Sequence, residues 1–165
     1  MKTLLETASI FTAKKDVRVY LRFIHSSGKT LDASDGHICI RFETDKYPEG
    51  YYLPEGFKVI LEDRYPNIDR LMEHFANQSD AICIKDGKPG ETGGTKYLQY
   101  TGRYYDSHFD VEYIKKIKRL GKNVETFVVN KQTSFGNWQV MLFSGVFVED
   151  GVEIPFKGVL MPVRV

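Results

Sequence analysis

The residue types that most often carry catalysis or bind metals are few in this sequence and stand apart from one another. The four histidines, His25, His37, His74 and His108, each occur alone, without a cysteine or carboxylate at the spacing of a zinc ligand set. No Gly-x-Ser-x-Gly segment is present that would place a serine nucleophile. The sequence therefore predicts neither a metal site nor a catalytic serine.

Asp35 and His37 form the one pair that suggests an acid and a base, because residues two apart in a strand project to the same side. Since no nucleophile or third group accompanies them, we interpret Asp35 as a turn-forming residue and His37 as a packed side chain. We expect no catalytic residues and no cofactor. An enzyme with its chemistry between Glu62 and His108 is the alternative.

A glycine-rich stretch runs from Asp86 to Gly94. The order of glycines, threonine and lysine from Gly90 to Lys96 differs from that of a P-loop, and no helix follows at once. We interpret the stretch from Asp86 to Gly94 as a mobile hairpin loop.

The clearest charge pattern is a row of cations. Lys115, Lys118, Arg119 and Lys122 recur at i, i+3, i+4 and i+7 with Lys116 beside them, which predicts a cationic helix face without an acidic partner. Such a face attracts phosphates whatever the base sequence. An ordinary solvated lysine face is the alternative.

Composition predicts one intracellular domain. The chain has 165 residues, 42% apolar content and a net charge of +1, so any site for a polyanion must come from local clustering. Cys39 and Cys83 lie in apolar stretches and predict buried free thiols in a reducing compartment. Glu6 interrupts the first apolar residues, so no signal peptide is expected, and no run is long enough to span a bilayer. We predict a cytoplasmic protein.

Hydrophobic periodicity predicts helices over residues 3–15, 66–75 and 109–121. Strands are predicted over residues 17–25, 30–33, 38–42, 57–61, 81–84, 97–100, 124–130, 138–143 and 154–165, with a short addition at 146–148. We therefore expect an α+β fold in a single domain spanning 1–165. Its two helix-plus-antiparallel-sheet halves would lie at about 1–62 and 108–165, with an irregular insertion at about 63–107.

Several segments, taken in order, resemble the bacterial DNA polymerase III β sliding clamp family. Asp16 to Leu21 is similar to the clamp's aspartate-valine-arginine strand, and Ala33 to His37 to its alanine-threonine-aspartate-glycine-histidine turn. Phe109 to Ile114, with Ile117 and Leu120, is similar to the start of the helix in the last clamp half-domain.

Two further segments extend the resemblance. Met161 to Val165 ends the chain as clamps end, with methionine, proline, an apolar residue, arginine and an apolar residue. Arg64 to Asn67 resembles the arginine-aromatic-proline segment that leaves a clamp domain, whereas the stretch from Glu73 to Ser107 has no counterpart.

The resemblance implies a DNA-clamp-like domain, with sheets outside and helices lining a hole for double-stranded DNA. On this basis Lys115, Lys116, Lys118, Arg119 and Lys122 would face the duplex and contact phosphates without reading bases. Bacterial clamps carry three such domains per chain and close six into a ring. This chain has material for one, so a ring would be a homo-oligomer of several copies joined through edge strands.

The resemblance also implies a hydrophobic pocket for short peptides of DNA polymerases, the clamp loader and repair proteins. The matching residues are Gly36, His37, Ile38, Leu160, Met161, Pro162, Val163 and Arg164. Ile38 replaces the arginine of typical clamps, so the resemblance does not carry over the exact peptide specificity. For the tail, a buried last strand with a proline at its edge is the alternative.

The expected function is that of a phage-type sliding-clamp processivity factor in DNA replication, which tethers a polymerase. The alternative is an adaptor or decoy that binds partner peptides without encircling DNA.

Overall fold

The computed structural model describes residues 2–73, 87–101, 106–133 and 136–164. In these ranges the chain forms two antiparallel sheets, one of eight strands and one of three. The strands are β1 Ile24–Ser26, β2 Thr30–Ser34, β3 Ile38–Glu43, β4 Gly50–Tyr52, β5 Lys58–Val59, β6 Lys88–Thr92, β7 Thr95–Thr101, β8 Asp106–Asp110, β9 Lys122–Thr133, β10 Gly136–Glu149 and β11 Val152–Leu160. The α-helices are α1 Leu4–Ser9, α2 Ile68–Met72 and α3 Val111–Lys118.

The larger sheet joins the two ends of the sequence. Its strand order is β5-β4-β1-β2-β3-β11-β10-β9, so the early strands meet the late ones where β3 pairs with β11. In that pair Cys39 lies opposite Val159, and Ile38 lies opposite Leu160. The smaller sheet has the order β6-β7-β8. Strands β5 and β9 are therefore the two edges of the larger sheet.

Helices α1 and α3 pack on the same face of the larger sheet. α1 begins with a capping box, in which Thr3 accepts a hydrogen bond from the Glu6 amide and the Glu6 carboxylate accepts one from the Thr3 amide. α3 begins at Asp110, whose side chain accepts from the Glu112 amide. Leu4 of α1 and Ile117 of α3 are fully buried in one cluster with the sheet residues on that face. Because both helices are short, this burial rather than helix propensity stabilises them.

The opposite face of the sheet carries α2. Asn67 caps this helix, and Ile68 and Met72 bury their side chains against Cys39 of β3. Along β3, the side chains of Ile38 and Ile40 therefore pack in the core beneath α1 and α3, whereas Cys39 faces α2.

The predicted α+β, clamp-like fold of two helix-plus-sheet halves is wrong. In the described residues antiparallel strands predominate and the three α-helices are short, so the fold is β-rich. The helices expected over 3–15 and 109–121 cover only Leu4–Ser9 and Val111–Lys118. The late strands are longer than expected, and residues 146–148 belong to one continuous β10.

The expected loop at 86–94 is also wrong from Lys88 onward. β6 and β7 pair directly, with Thr92 opposite Thr95, because Gly93 and Gly94 both take positive φ and close a two-residue turn. β6 is exposed along most of its length, so its sequence shows no apolar alternation and resembles a loop.

The strand predicted over 17–25 begins only at Ile24 and is preceded by a 3₁₀ turn, Val19–Arg22. The Asp16 carboxylate accepts from the Arg18 amide at 2.8 Å, which favours a turn over an extended chain. Val17 is 91% exposed while Leu21 is buried, so the two do not share a face as they would in the predicted strand.

Three smaller predictions have mixed outcomes. The strand expected at 57–61 is only the two residues of β5. Cys39 is a free, buried cysteine, as predicted, whereas Cys83, His74 and the strand at 81–84 lie outside the described residues. Within those residues no helix has the length and apolar character needed to cross a membrane.

Candidate functional site

The turn between β2 and β3 is held by its own side chains. Asp35 Oδ1 accepts from the amides of His37 at 2.8 Å and Ile38 at 3.1 Å, while Ser34 Oγ accepts from the Gly36 amide at 3.1 Å. Gly36 takes a φ of +94°, which a residue with a Cβ adopts only with strain. The interpretation of Asp35 as a turn former is confirmed.

Arg18 lies against this turn. A Cβ placed on Gly36 would stand 2.7 Å from Arg18 Nη2, so only glycine lets the guanidinium approach. Asp16 fixes that guanidinium by accepting from Nε at 2.9 Å and from Nη2 at 2.8 Å. Hydrogen bonds from the Arg18 side chain and amide hold the pKa of Asp16 well below its usual range.

Helix α3 reaches the same turn through Tyr113. Its hydroxyl donates to Asp35 Oδ2 at 2.5 Å. Burial raises the pKa of Tyr113, and the hydrogen bond to the Asp35 carboxylate raises it further. The phenol therefore keeps its proton. Asp35 thus receives donors from its own turn and from α3.

The C-terminal tail completes the cluster. After β11 ends at Leu160, the Met161 amide donates to the His37 carbonyl at 2.8 Å and the Val163 amide donates to the His108 carbonyl at 2.8 Å. The tail therefore crosses from the larger sheet to β8 of the smaller one. We call this meeting of Arg18, the 34–38 turn, Tyr113 and the 160–164 tail the turn–tail junction.

The residues expected to form a pocket differ in their exposure at the junction. Ile38 and Leu160 are buried in the core, so their side chains do not line a surface pocket. Gly36, His37 and Arg164 are exposed, Met161 is 42% exposed, and Pro162 and Val163 are half-buried. The expectation that His37 is packed is wrong. The structure pairs Ile38 with Leu160 and joins Met161 to His37, whereas Val163 bonds to His108. A thioether and a proline, Met161 and Pro162, remain at least partly at the surface.

Sequence reasoning did not include α2 and Cys39 in this site. Cys39 pairs with Val159 next to the tail, and Ile68 and Met72 of α2 cover it, with Tyr65 and Leu71 packed beside them. Burial raises the pKa of the Cys39 thiol, so Cys39 acts as an apolar packing residue. The similarity of Arg64 to Asn67 to a clamp segment was the only signal for this neighbourhood.

The cationic residues of α3 and of the segment after it are exposed to solvent. The prediction that they have no acidic partners is wrong. Lys115 pairs with Glu112 at 3.3 Å, Lys122 pairs with Glu153 at 2.5 Å, and the Lys116 ammonium lies 5.3 Å from the Tyr113 ring centroid. Lys118 and Arg119 form no ion pair with the residues that the structure describes. The row is therefore less basic than its sequence suggests.

A surface cavity of about 570 Å³ separates α3 from α1. Its rim carries Lys2, Lys115, Lys116 and Arg119, and its floor is apolar with Ile10 and Phe147. Lys2, which sequence reasoning did not select, thus adds a cation to the surface formed by α3. We call this surface, with Lys118, the cationic helix face.

Comparison with known proteins found no matching family model, curated protein or solved structure. Among the described residues no group of three or more histidine, cysteine, aspartate and glutamate side chains is placed to hold a metal ion.

Proposed function

We propose that this chain is a DNA-tethering protein that works like a sliding clamp, holding a polymerase or another replication protein through a peptide bound at the turn–tail junction. The observation that carries the proposal is the convergence at the junction. Segments that lie far apart in the sequence, and that resemble clamp segments one by one, meet there through hydrogen bonds at Asp35, His37 and His108. Chance similarity would not require these segments to be neighbours in space.

The junction suits peptide capture. It presents an exposed methionine and a half-buried proline and valine directly after β11, the strand that α2 contacts. A thioether adapts to different apolar anchors, and a fixed proline lowers the entropy lost when the site is occupied. Arg164 at its edge supplies a cation for an acidic residue of the peptide.

The cationic helix face is the proposed DNA contact. Lys116 and Lys118 lie in α3, Arg119 caps its C-terminus and Lys2 precedes the N-cap of α1. From these exposed positions the four cations can approach phosphates without reading bases. Such contacts permit sliding because every phosphate offers the same charge.

Encirclement would require several copies. The larger sheet has two unlike edges in the described residues, β5 and β9, and contacts between unlike edges are head-to-tail and close into a ring when the rotation permits. We place the protein in the cytoplasm, where replication machinery and reduced thiols such as Cys39 coexist.

The test is retention on circular DNA. The chain is mixed at high concentration with nicked circular plasmid, separated by gel filtration with light scattering, and examined again after the plasmid is linearised. We expect a closed oligomer that stays on circles and leaves linear DNA. A monomer at every concentration, with or without circles, would contradict the proposal.

The paired charges of Lys115 and Lys122 favour a second candidate, an adaptor or decoy that binds peptides without encircling DNA. The double variant Lys118→Glu with Arg119→Glu separates the two candidates. Under the clamp-like proposal it loses retention on circles and keeps peptide binding. If neither the unmodified chain nor the double variant stays on circles and both bind the peptide, the adaptor is favoured.

A further inference from the structure

Arg41 of β3 is a buried cation shared by two carboxylates. Its Nε and Nη2 donate to Asp32 of β2 at 2.8 and 2.9 Å, and its Nη1 donates to Asp69 of α2. Arg41 is 9% exposed and Asp32 is 2% exposed, whereas the Asp69 side chain is 79% exposed. Arg41 therefore connects the sheet, through a buried pair, to a carboxylate on the surface of α2.

The position of Arg41 on β3 relates the Arg41–Asp69 ion pair to the C-terminal tail. Arg41 lies two residues after Cys39, so both side chains project from β3 to the face that carries α2. Cys39 lies opposite Val159, two residues before Met161. The part of β3 that holds α2 is thus adjacent to the strand that leads into the tail.

Apart from the Arg41–Asp69 bond, α2 is held by the buried Ile68 and Met72 and by Tyr65 before it, which stacks on His25. The helix is five residues long, and its cap accepts a long hydrogen bond, 3.4 Å from the Arg70 amide to Asn67. Ile68 and Met72 pack on Cys39. The segment that leads into α2, residues 63–69, lines an open cleft of about 780 Å³. In the described residues Arg41–Asp69 is the only ion pair between α2 and the sheet.

A buried ion pair is seldom the most stable choice for a core, because desolvation offsets much of the attraction. Burial raises the pKa of Asp32 even though Arg41 donates two hydrogen bonds to it. An apolar pair at these positions would stabilise the sheet as well, but it would leave Asp69 without a partner. Directional donors that hold α2 in one position are the physical advantage of this arrangement.

We propose that Arg41 is a positioning residue for the turn–tail junction: through Asp69 it fixes α2 beside β11 and thereby sets the affinity of the peptide site. This inference rests on the proposed peptide binding. It concerns the geometry of the site and predicts that a change on the exposed side of α2 weakens a peptide bound at the tail.

The test uses Asp69→Ala, which leaves the buried Asp32–Arg41 pair intact. The matched control is Asp63→Ala, an exposed carboxylate in the segment before α2. The probe is a fluorescein-labelled heptapeptide selected from a random library on the unmodified chain. We expect Asp69→Ala to raise the peptide Kd roughly three- to fivefold, Asp63→Ala to leave it unchanged, and Asp69→Glu to restore most of the affinity. An unchanged Kd in Asp69→Ala would overturn the proposal.

Methionine methyl spectra give a readout that does not depend on a peptide. Met72 lies in α2, Met161 lies in the tail, and Met141 is fully buried in the core. We expect Asp69→Ala to shift the Met72 and Met161 signals and to leave Met141 and the melting temperature unchanged. If selection yields no peptide on the unmodified chain, peptide binding fails. Arg41 then keeps its positioning role only if the Met72 signal moves, and an unmoved Met72 signal rejects it.

Discussion

The turn–tail junction and the cationic helix face meet at α3 but are built in opposite ways. At the junction, residues from distant segments exchange hydrogen bonds, so Asp35 alone joins its own turn to Tyr113. The cationic helix face is mostly one helix with local neighbours, and the charge of Lys115 on it is partly cancelled by Glu112. A change at the junction should therefore affect several elements, whereas a change on the helix face should affect charge alone.

Removing the hydroxyl of Tyr113 is the strongest way to sharpen this comparison. Tyr113→Phe leaves Asp35 Oδ2 without its donor in a half-buried place. We expect the free energy of unfolding, measured by urea denaturation, to fall by about 1–2 kcal/mol. Lys118→Ala on the same helix is the control and should change it by less than about 0.5 kcal/mol. Equal effects of the two substitutions would remove the distinction between the two regions.

A smaller effect is expected from His25 of β1, whose neighbour Tyr65 packs beside α2. His25 stacks on Tyr65 with ring centroids 4.6 Å apart, and burial lowers its pKa from the usual 6.5. Below pH 6.5 the unfolded chain therefore binds more protons than the folded chain, so stability falls as the pH falls.

Between pH 7.5 and 6 we expect the folded chain to lose up to about 0.8 kcal/mol through His25. His25→Phe should flatten this part of the curve of unfolding free energy against pH. A slope that persists in His25→Phe would show that another group titrates.

The sequence predicted local features better than the arrangement of the fold. The Asp35 turn, α3 and the β9 to β11 region follow from short-range rules, because caps, turn residues and apolar alternation act within a few residues. The length of α1 and the 3₁₀ turn after Asp16 did not follow, since they depend on contacts with distant residues and on the Asp16–Arg18 bonds.

The candidate site was predictable only in part. The resemblance to clamps predicted that Gly36 and Met161 lie in one site. In the structure the Met161 amide donates a hydrogen bond to the carbonyl of His37, the residue after Gly36. The roles of Arg18, Tyr113 and Arg41 depend on tertiary contacts, which periodicity does not encode. The pairing of Lys122 with Glu153 is likewise a contact between distant residues, and it reduces a charge pattern that looked uniform.

The central claim is that the two regions bind different partners, and amide chemical-shift mapping with two separate titrations tests it most directly. The library-selected heptapeptide should shift signals of residues 35–38 and 160–164, whereas a short DNA duplex should shift those of Lys2, Lys116, Lys118 and Arg119. Peptide shifts confined to the cationic helix face, or a peptide and a duplex that move the same signals, would contradict the account.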